Sequence, residues 1–486
     1  MTFQTDLDIM FKICTERNNR MFNTIISSIN DALYSYILII ILLLGGLFFT
    51  FRTKFAPFRL FGEQIRAVTE KPADGKGVSS FQALMVSTAS RVGTGNIIGV
   101  STALCLGGFG SVFWMWVIAI IGSASALIES TLAQIYKKKG PDGCYGGPAY
   151  YIEKALKCKP LAIVFALFLI VTYGVGFNML ASYNLQSTFS SYSFYNAETT
   201  PWIIGLIIAV IVGYCLMGGG KRVVKTTSIL VPAMGVAYIL ISLLIVVLNL
   251  NALPGVFHQI FEEAFDFKAI FGGFSGSCVM FGIKRGLFSN EAGVGSAPNA
   301  SASAEVSHPV KQGLVQVLSV FIDTILVCSA TAFMCMCSGV EPSEKLSGAP
   351  YVQAALSETL GAFGPIFITV AMILFAFTTL LGNLYYVDQC IYYILGKVPG
   401  KAFMTVYHIV AAALIFLGAG LSADLLWNIA DVTMGLMTVI NMPVILYLSK
   451  YAVAALKDYD TQRKQGKTPV FKAKNINLPH DVDYWQ

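Results

Sequence analysis

The chain has 486 residues, of which 55% are hydrophobic and 12% charged, with a mean hydropathy of +0.67. An ordinary soluble domain carries about 25% charged residues, so this composition excludes a soluble core and points to a protein embedded in lipid. The formal net charge of +6 does not call for a nucleic-acid partner, because in such a chain the position of the basic residues matters more than their sum.

The first 32 residues are mixed polar, and the apolar run at 34–51 that follows lacks a small-residue cleavage site, which predicts a retained helix. A spanning helix needs about 20 apolar residues. Ten further spans are predicted at 83–105, 111–136, 160–189, 202–217, 227–249, 270–298, 312–338, 362–395, 402–421 and 427–449. The stretches 252–268 and 345–360 are too polar or too short to span and are expected as extramembrane helices. The resulting partition is an N-terminal segment (1–33), an extra helix with its linker (34–82), a ten-helix core (83–450) and a tail (451–486).

An odd number of spans puts the two ends on opposite sides. Of the 33 Lys and Arg residues, 25 then fall on the C-terminal side and 5 on the other, with Arg91, Lys284 and Arg285 inside spans. The positive-inside rule makes the C-terminus cytoplasmic and the N-terminus external, as expected for a multi-pass protein of the cell membrane. Ten cysteines are present, mostly within apolar runs (Cys105, Cys215, Cys278, Cys328, Cys335, Cys337), without the paired spacing of a metal site. They read as small packing residues.

Two of the ten core spans carry an interruption. In Ser90-Arg91-Val92-Gly93-Thr94-Gly95-Asn96, two glycines flank a threonine in mid-span, where helix propensity is poor. Hydrocarbon penalises the freed backbone groups unless they line a cavity and bind something. Freed N–H groups suit a carboxylate and freed carbonyls suit a bare cation. Five helices later, the span 270–298 holds Gly272, Gly273, Gly276, Gly282 and Gly286, and then Val294-Gly295-Ser296. The expected second break lies at Gly282 to Gly286, with Val294 to Ser296 as the alternative. A pair of glycines alone is ordinary helix packing.

These segments resemble a known family. Phe81-Gln82-Ala83-Leu84-Met85 running into Arg91-Val92-Gly93-Thr94-Gly95-Asn96, Phe113-Trp114-Met115-Trp116, Tyr145-Gly146-Gly147-Pro148, Arg285-Gly286-Leu287-Phe288-Ser289-Asn290-Glu291-Ala292-Gly293 and His308-Pro309-Val310-Lys311-Gln312-Gly313 are similar to the alanine or glycine:cation symporter family. The resemblance runs from about residue 35 to residue 460. It implies an all-α integral membrane protein with the leucine-transporter fold, ten core helices in two inverted five-helix repeats (about 83–249 and 270–450) behind one extra helix. The leucine transporter is itself a founding example of transport through broken helices, so the general mechanism comes with the resemblance.

The resemblance also implies roles. Thr94, Gly95 and Asn96, with Asn178, Gly282 and Asn383, would hold a small neutral amino acid. Carbonyls of Ala89 and Val92 with the hydroxyls of Thr378 and Thr379 would hold sodium as the coupling ion, with no other cofactor. Without it, two threonines in a membrane helix ordinarily bond their own backbone. Position 383 is Trp in many relatives and Ala181 stands where relatives often have Gln, so Asn383 and Ala181 admit a larger amino acid such as glutamine beside alanine and glycine. Ser111, where Gly or Ala is usual, reads as a packing variation.

Ionisable groups within spans are functional candidates by default. Arg91 and Glu291 are candidates for an inner gate, while Glu129, Lys284, Arg285, Asp323, Asp388 and Asp431 are open to either a functional role or structural pairing. His258, His308, His408 and His480 all lie away from mid-span, which favours sodium over a proton relay. No HExxH, GxSxG or P-loop pattern supports an enzyme. A passive channel is the rival of a different class, since broken helices also build filters.

Overall fold

In the computed structural model the described residues are 24–72, 77–140, 143–273, 277–479 and 481–485. Most of the N-terminal segment expected outside the membrane (1–23), and Gly276 of the second break's candidate glycines, lie outside them.

Helices dominate because the long apolar runs can satisfy their backbone groups internally. The first, α1 (Thr24–Arg52), starts ten residues before the run read from hydropathy. After a short amphipathic α2 (Phe61–Val68), α3 (Ser80–Arg91) begins with a capping box. Its Ser79 Oγ accepts from Gln82 N–H (3.2 Å) and Gln82 Oε1 accepts from Ser79 N–H (2.9 Å). Beyond a break come α4 (Gly95–Gly107), α5 (Gly110–Ile135), a β1–β2 hairpin (Lys138–Gly140, Gly143–Tyr145), α6 (Pro148–Leu156), α7 (Lys159–Ser191), α8 (Thr200–Leu216) and α9 (Gly219–Leu248). The second half holds α10 (Leu253–Ala264), α11 (Cys278–Asn290), α12 (Pro298–Ser301), α13 (Pro309–Met336), α14 (Ala349–Leu360), α15 (Phe363–Leu395), α16 (Lys401–Gly418) and α17 (Ala423–Lys464).

Among the described residues, eight helices are long and apolar enough to cross a membrane: α1, α5, α7, α9, α13, α15, α16 and α17. α4 and α8 are shorter apolar helices. α3 and α4 occupy the first interrupted span, α11 lies within the second with α12 beginning at its last residue, and α10 and α14 occupy the stretches expected outside the membrane. α5 packs on α11 and α13, and α3 packs on α9 and α15, so each broken helix is buried among continuous ones.

The second break is not at Gly282 to Gly286. Those glycines sit in the unbroken α11. A Cβ on Gly282 would come 2.5 Å from Ser111 O and 2.7 Å from Trp114 Cβ, and one on Gly286 would meet Ile118 Cγ2 at 2.6 Å. They form a small-residue face against α5, the ordinary packing use of the GxxxG spacing. The helix ends instead at Glu291, in left-handed conformation (φ 54°), followed by Gly293 (φ 87°) and Gly295 (φ 89°). The alternative break at Val294 to Ser296 is the one formed, and Gly282 lies in an intact turn.

The segment after α17 straps the end of α5 to the loop after α12. After α17, Phe471 N–H donates to Ser307 O (2.9 Å) and Trp485 Nε1 donates to Gln134 O (2.7 Å). Lys137 donates to Ala304 O (2.7 Å) and sits 4.0 Å from the centroid of the Tyr484 ring. The strapped loop is tied to the residues before α3, since Glu305 N–H donates to Val78 O (2.9 Å). Trp485 is 6% exposed. Trp485→Ala is therefore expected to destabilise the protein by about 3 kcal/mol, read as a lowered midpoint in thermal unfolding of the purified protein. An unchanged midpoint would show that the strap is held elsewhere.

Candidate functional site

The two breaks face each other in the protein interior. α3 ends at Val92, whose ψ of 84° leaves the helix, and Gly93 N–H turns to donate to Asn96 Oδ1 (2.8 Å). Asn96 Nδ2 in turn donates to Asp323 Oδ1 (2.7 Å) on α13. Asp323 Oδ2 accepts from Ser289 Oγ (2.8 Å) on α11 and from Thr324 Oγ1 (2.7 Å). One fully buried carboxylate thus ties the first broken helix to the second.

The second break is tied down in the same manner. Gly293 N–H donates to Glu129 Oε1 (3.3 Å), and Asn441 Nδ2 donates to both Glu129 Oε2 and Gly293 O (2.9 Å each). Asn299 Nδ2 caps Ser296 O (2.8 Å). Glu291, 1% exposed, accepts from Ser296 Oγ (2.7 Å) and lies 3.1 Å from Ser90 Oγ. Ser90 Oγ is also 2.7 Å from Asn383 Oδ1, and Asn383 Nδ2 donates to Asn178 Oδ1 (2.9 Å). A polar chain therefore runs from Asn178 on α7 through Asn383 on α15 and Ser90 on α3 to Glu291.

Residues expected to hold a cation separate here. Thr379 Oγ1 donates to Ala89 O (3.1 Å), bringing an α15 hydroxyl to the last turn of α3. Val92 lies in the same turn and is 1% exposed. Thr378 points the other way: its Oγ1 donates to Leu374 O (3.0 Å) and Phe375 O (3.2 Å) in its own helix and touches Met234 Sδ (3.5 Å). The sequence could not tell these neighbours apart, and Thr378 takes the backbone-bonding arrangement usual for threonine in a membrane helix.

Thr94 Oγ1 accepts from Asn184 Nδ2 (3.1 Å). Gly95 sits under an aromatic lid, where a Cβ would come 2.8 Å from the Phe288 ring. Phe288 packs on Phe177 (centroids 4.6 Å apart) and on Trp427 (4.9 Å). Around the breaks several buried polar atoms have no hydrogen-bond partner, among them Asn178 Nδ2, Asn184 Oδ1, Asn290 Nδ2, and Arg91 Nε and Nη2. These atoms lie on α3, α7 and α11, and each could still hydrogen-bond to a polar ligand.

Of the two gate candidates, Glu291 joins both breaks, whereas Arg91, 2% exposed, bonds Gln316 Oε1 (3.0 Å) on α13. Asp431 is a structural pair, held by Lys284 (2.9 Å) and Arg285 (3.3 Å). Phe288 and Ser289 went unassigned in the sequence although they lie within a family-like run, and Asn441 has no sequence signal because its partners come from distant helices.

The model of the sodium:alanine symporter family matches residues 19–473. The chain is 44% identical to the amino-acid carrier protein AlsT of Bacillus subtilis (strain 168), over 96% of this chain and 98% of that one. It is 42% identical to the probable sodium/glutamine symporter GlnT of the same organism, over 95% of each. Among solved structures it is similar in fold to MhsT in complex with L-phenylalanine (TM-score 0.52, 16% identity), covering 84% of this chain and 95% of MhsT, and so has the leucine-transporter fold. With its two buried breaks and these relatives, the chain belongs to the sodium:alanine symporter family.

Proposed function

We propose that the chain is a sodium-coupled symporter of a small neutral amino acid of the alanine or glycine class, working by alternating access in the cell membrane. Its N-terminus faces outside and its C-terminus the cytoplasm. The observation that carries the reading is the junction of Thr379 Oγ1 with Ala89 O at 3.1 Å. Hard oxygen donors from two helices meet there at a helix break, a donor set suited to a hard cation. The neighbouring backbone N–H groups at Thr94 and Gly95 would take the substrate carboxylate, with Asn96, Asn178 and Asn383 nearby. Sodium then links α3 to α15, and the two inverted five-helix repeats around the breaks rock to open one face or the other.

A second reading has its own observation. Asn383 pairs with Asn178, whose Nδ2 has no partner. This amide pair supports glutamine as the cargo, in line with the resemblance to GlnT.

The test is uptake of radiolabelled alanine, glycine and glutamine into proteoliposomes, with and without an inward sodium gradient. Uptake is expected to saturate and to need sodium. Thr379→Ala is expected to lower sodium-dependent uptake more than tenfold, and Thr378→Ala less than threefold. Linear, non-saturating flux would favour a channel, and equal uptake without sodium would overturn the coupling.

A further inference from the structure

Where β1, α6 and the start of α7 meet lies a cavity of about 360 Å³, lined by Lys138, Tyr150, Glu153, Lys154, Lys157 and Lys159. That size falls in the range of small-molecule sites, about 300–1,000 Å³. It belongs to the loops that the proposed orientation places in the cytoplasm, far from the two breaks in both chain and chemistry.

The charges there do not cancel. The carboxylate in the lining, Glu153, accepts from the Tyr393 hydroxyl (2.7 Å). Of the four lysines, only Lys154 has a carboxylate partner among the described residues, Asp483 at 3.3 Å. Lys157, in a left-handed turn (φ 53°) between α6 and α7, and Lys159 are exposed. Tyr150 is 4% exposed, and its hydroxyl is buried without a hydrogen-bond partner. Leaving such a donor unmade is costly unless a ligand completes it, and the ring of this tyrosine lies 5.8 Å from Lys138 Nζ in the cavity wall. Ammonium groups around a phenol O–H are a donor set for an oxyanion that accepts several charged donors at once, as a phosphate does.

We propose that this cavity binds a phosphate-bearing anion, with Lys157 and Lys159 pairing its charge, Tyr150 donating its O–H, and Asp483 of the tail as the built-in competitor at Lys154. An acidic lipid headgroup and a soluble phosphate ester share that chemistry. The place of the cavity favours the lipid: α7 is long and apolar enough to cross a membrane, and Val164 and Leu167, one and two turns beyond Lys159, are exposed, so a headgroup in the cavity can lay its chains along the helix. Filling the site draws Lys154 from Asp483, which directly precedes the strap residues Tyr484 and Trp485. The strap holds Ser307, in the loop that Glu305 N–H ties to Val78 O ahead of α3. The bound anion thereby loosens the segment leading into the first broken helix, whichever amino acid is carried.

The experiment is native mass spectrometry of the purified full-length protein in neutral detergent, titrated with short-chain phosphatidylglycerol or phosphatidylcholine, with glycerol phosphate as a soluble competitor. Wild type is expected to hold phosphatidylglycerol about tenfold more tightly than phosphatidylcholine, and Lys157→Ala/Lys159→Ala to lose that preference. Tyr150→Phe is expected to weaken binding about threefold and Asp483→Asn to strengthen it about threefold. Lys450→Ala/Lys457→Ala removes two exposed lysines from α17 and is expected to bind as wild type does. A wild-type elution volume in size-exclusion chromatography shows that each variant is folded. Displacement by glycerol phosphate would make a soluble phosphate ester the ligand of this site, and failure to displace would make it the lipid. Equal binding of the two lipids by wild type, or equal losses in the two double-lysine variants, would overturn the site as diffuse attraction of anions to a basic surface. No gain in Asp483→Asn would overturn the tail as its competitor.

Discussion

Gly93→Ala is expected to abolish sodium-coupled uptake while leaving the protein folded. Gly93 follows the last turn of α3, and a Cβ placed on it would run into Thr379 Oγ1, with Thr379 Cβ 3.1 Å and Cγ2 3.3 Å away. Thr379 can escape only by rotating, and rotation takes its hydroxyl off Ala89 O, the contact at the proposed cation position. Losing that junction and misplacing the donors is worth about 3 kcal/mol, or roughly a hundredfold in sodium affinity. The sodium dependence of alanine uptake in proteoliposomes reads this directly. Gly282→Ala is the contrast. Its Cβ meets the backbone of Ser111 at 2.5 Å and not the breaks, so it should lower thermal stability and leave the sodium requirement of the surviving protein unchanged. A Gly93→Ala protein with wild-type sodium dependence would separate Thr379 from the cation.

The eight long spans and the first break were legible in the sequence because they rest on local properties. Hydropathy marks α5, α7 and α15, and Gly93-Thr94-Gly95 cannot continue a helix in comfort. The second break was legible in existence but not in place. Gly282 and Gly286 look like a weak point, yet in three dimensions they are the close contact between α11 and α5, and what ends the helix is Glu291 in a left-handed conformation with Glu129 and Asn441 ready to bind the freed backbone. Those partners are 162 and 150 positions away from Glu291 along the chain, and no local pattern records them.

The same limit explains the threonines and the charges. Thr378 and Thr379 are adjacent in sequence but about a hundred degrees apart around α15, so only packing decides which one meets α3. Asp431 and Asp323 are both single carboxylates in apolar runs. One is spent on Lys284 and Arg285, and the other gathers three neutral donors around the breaks. Their difference lies in which helices surround them, a property of the assembled bundle.

Asp323→Asn carries the other large effect. All three neighbours of Asp323, the Asn96 amide and the Ser289 and Thr324 hydroxyls, donate to it, and among the described residues no cationic side chain pairs with it. An amide in its place turns one acceptor oxygen into a donor, so either the Asn96 amide meets N–H with N–H, or the Ser289 and Thr324 hydroxyls must turn to accept and give up donating here. A buried donor left unmade costs about 1–3 kcal/mol, and here Asn96 is also the residue that holds Gly93 N–H at the first break. Uptake is expected to fall between about tenfold and a hundredfold, with the residual uptake still driven by sodium at zero pH gradient. The same assay decides the role of the carboxylate. If a pH gradient alone drives alanine uptake in wild type and Asp323→Asn removes only that component, Asp323 is a proton carrier and sodium coupling falls. If sodium drives both proteins and a pH gradient drives neither, Asp323 is the tie that sets the geometry of the two breaks.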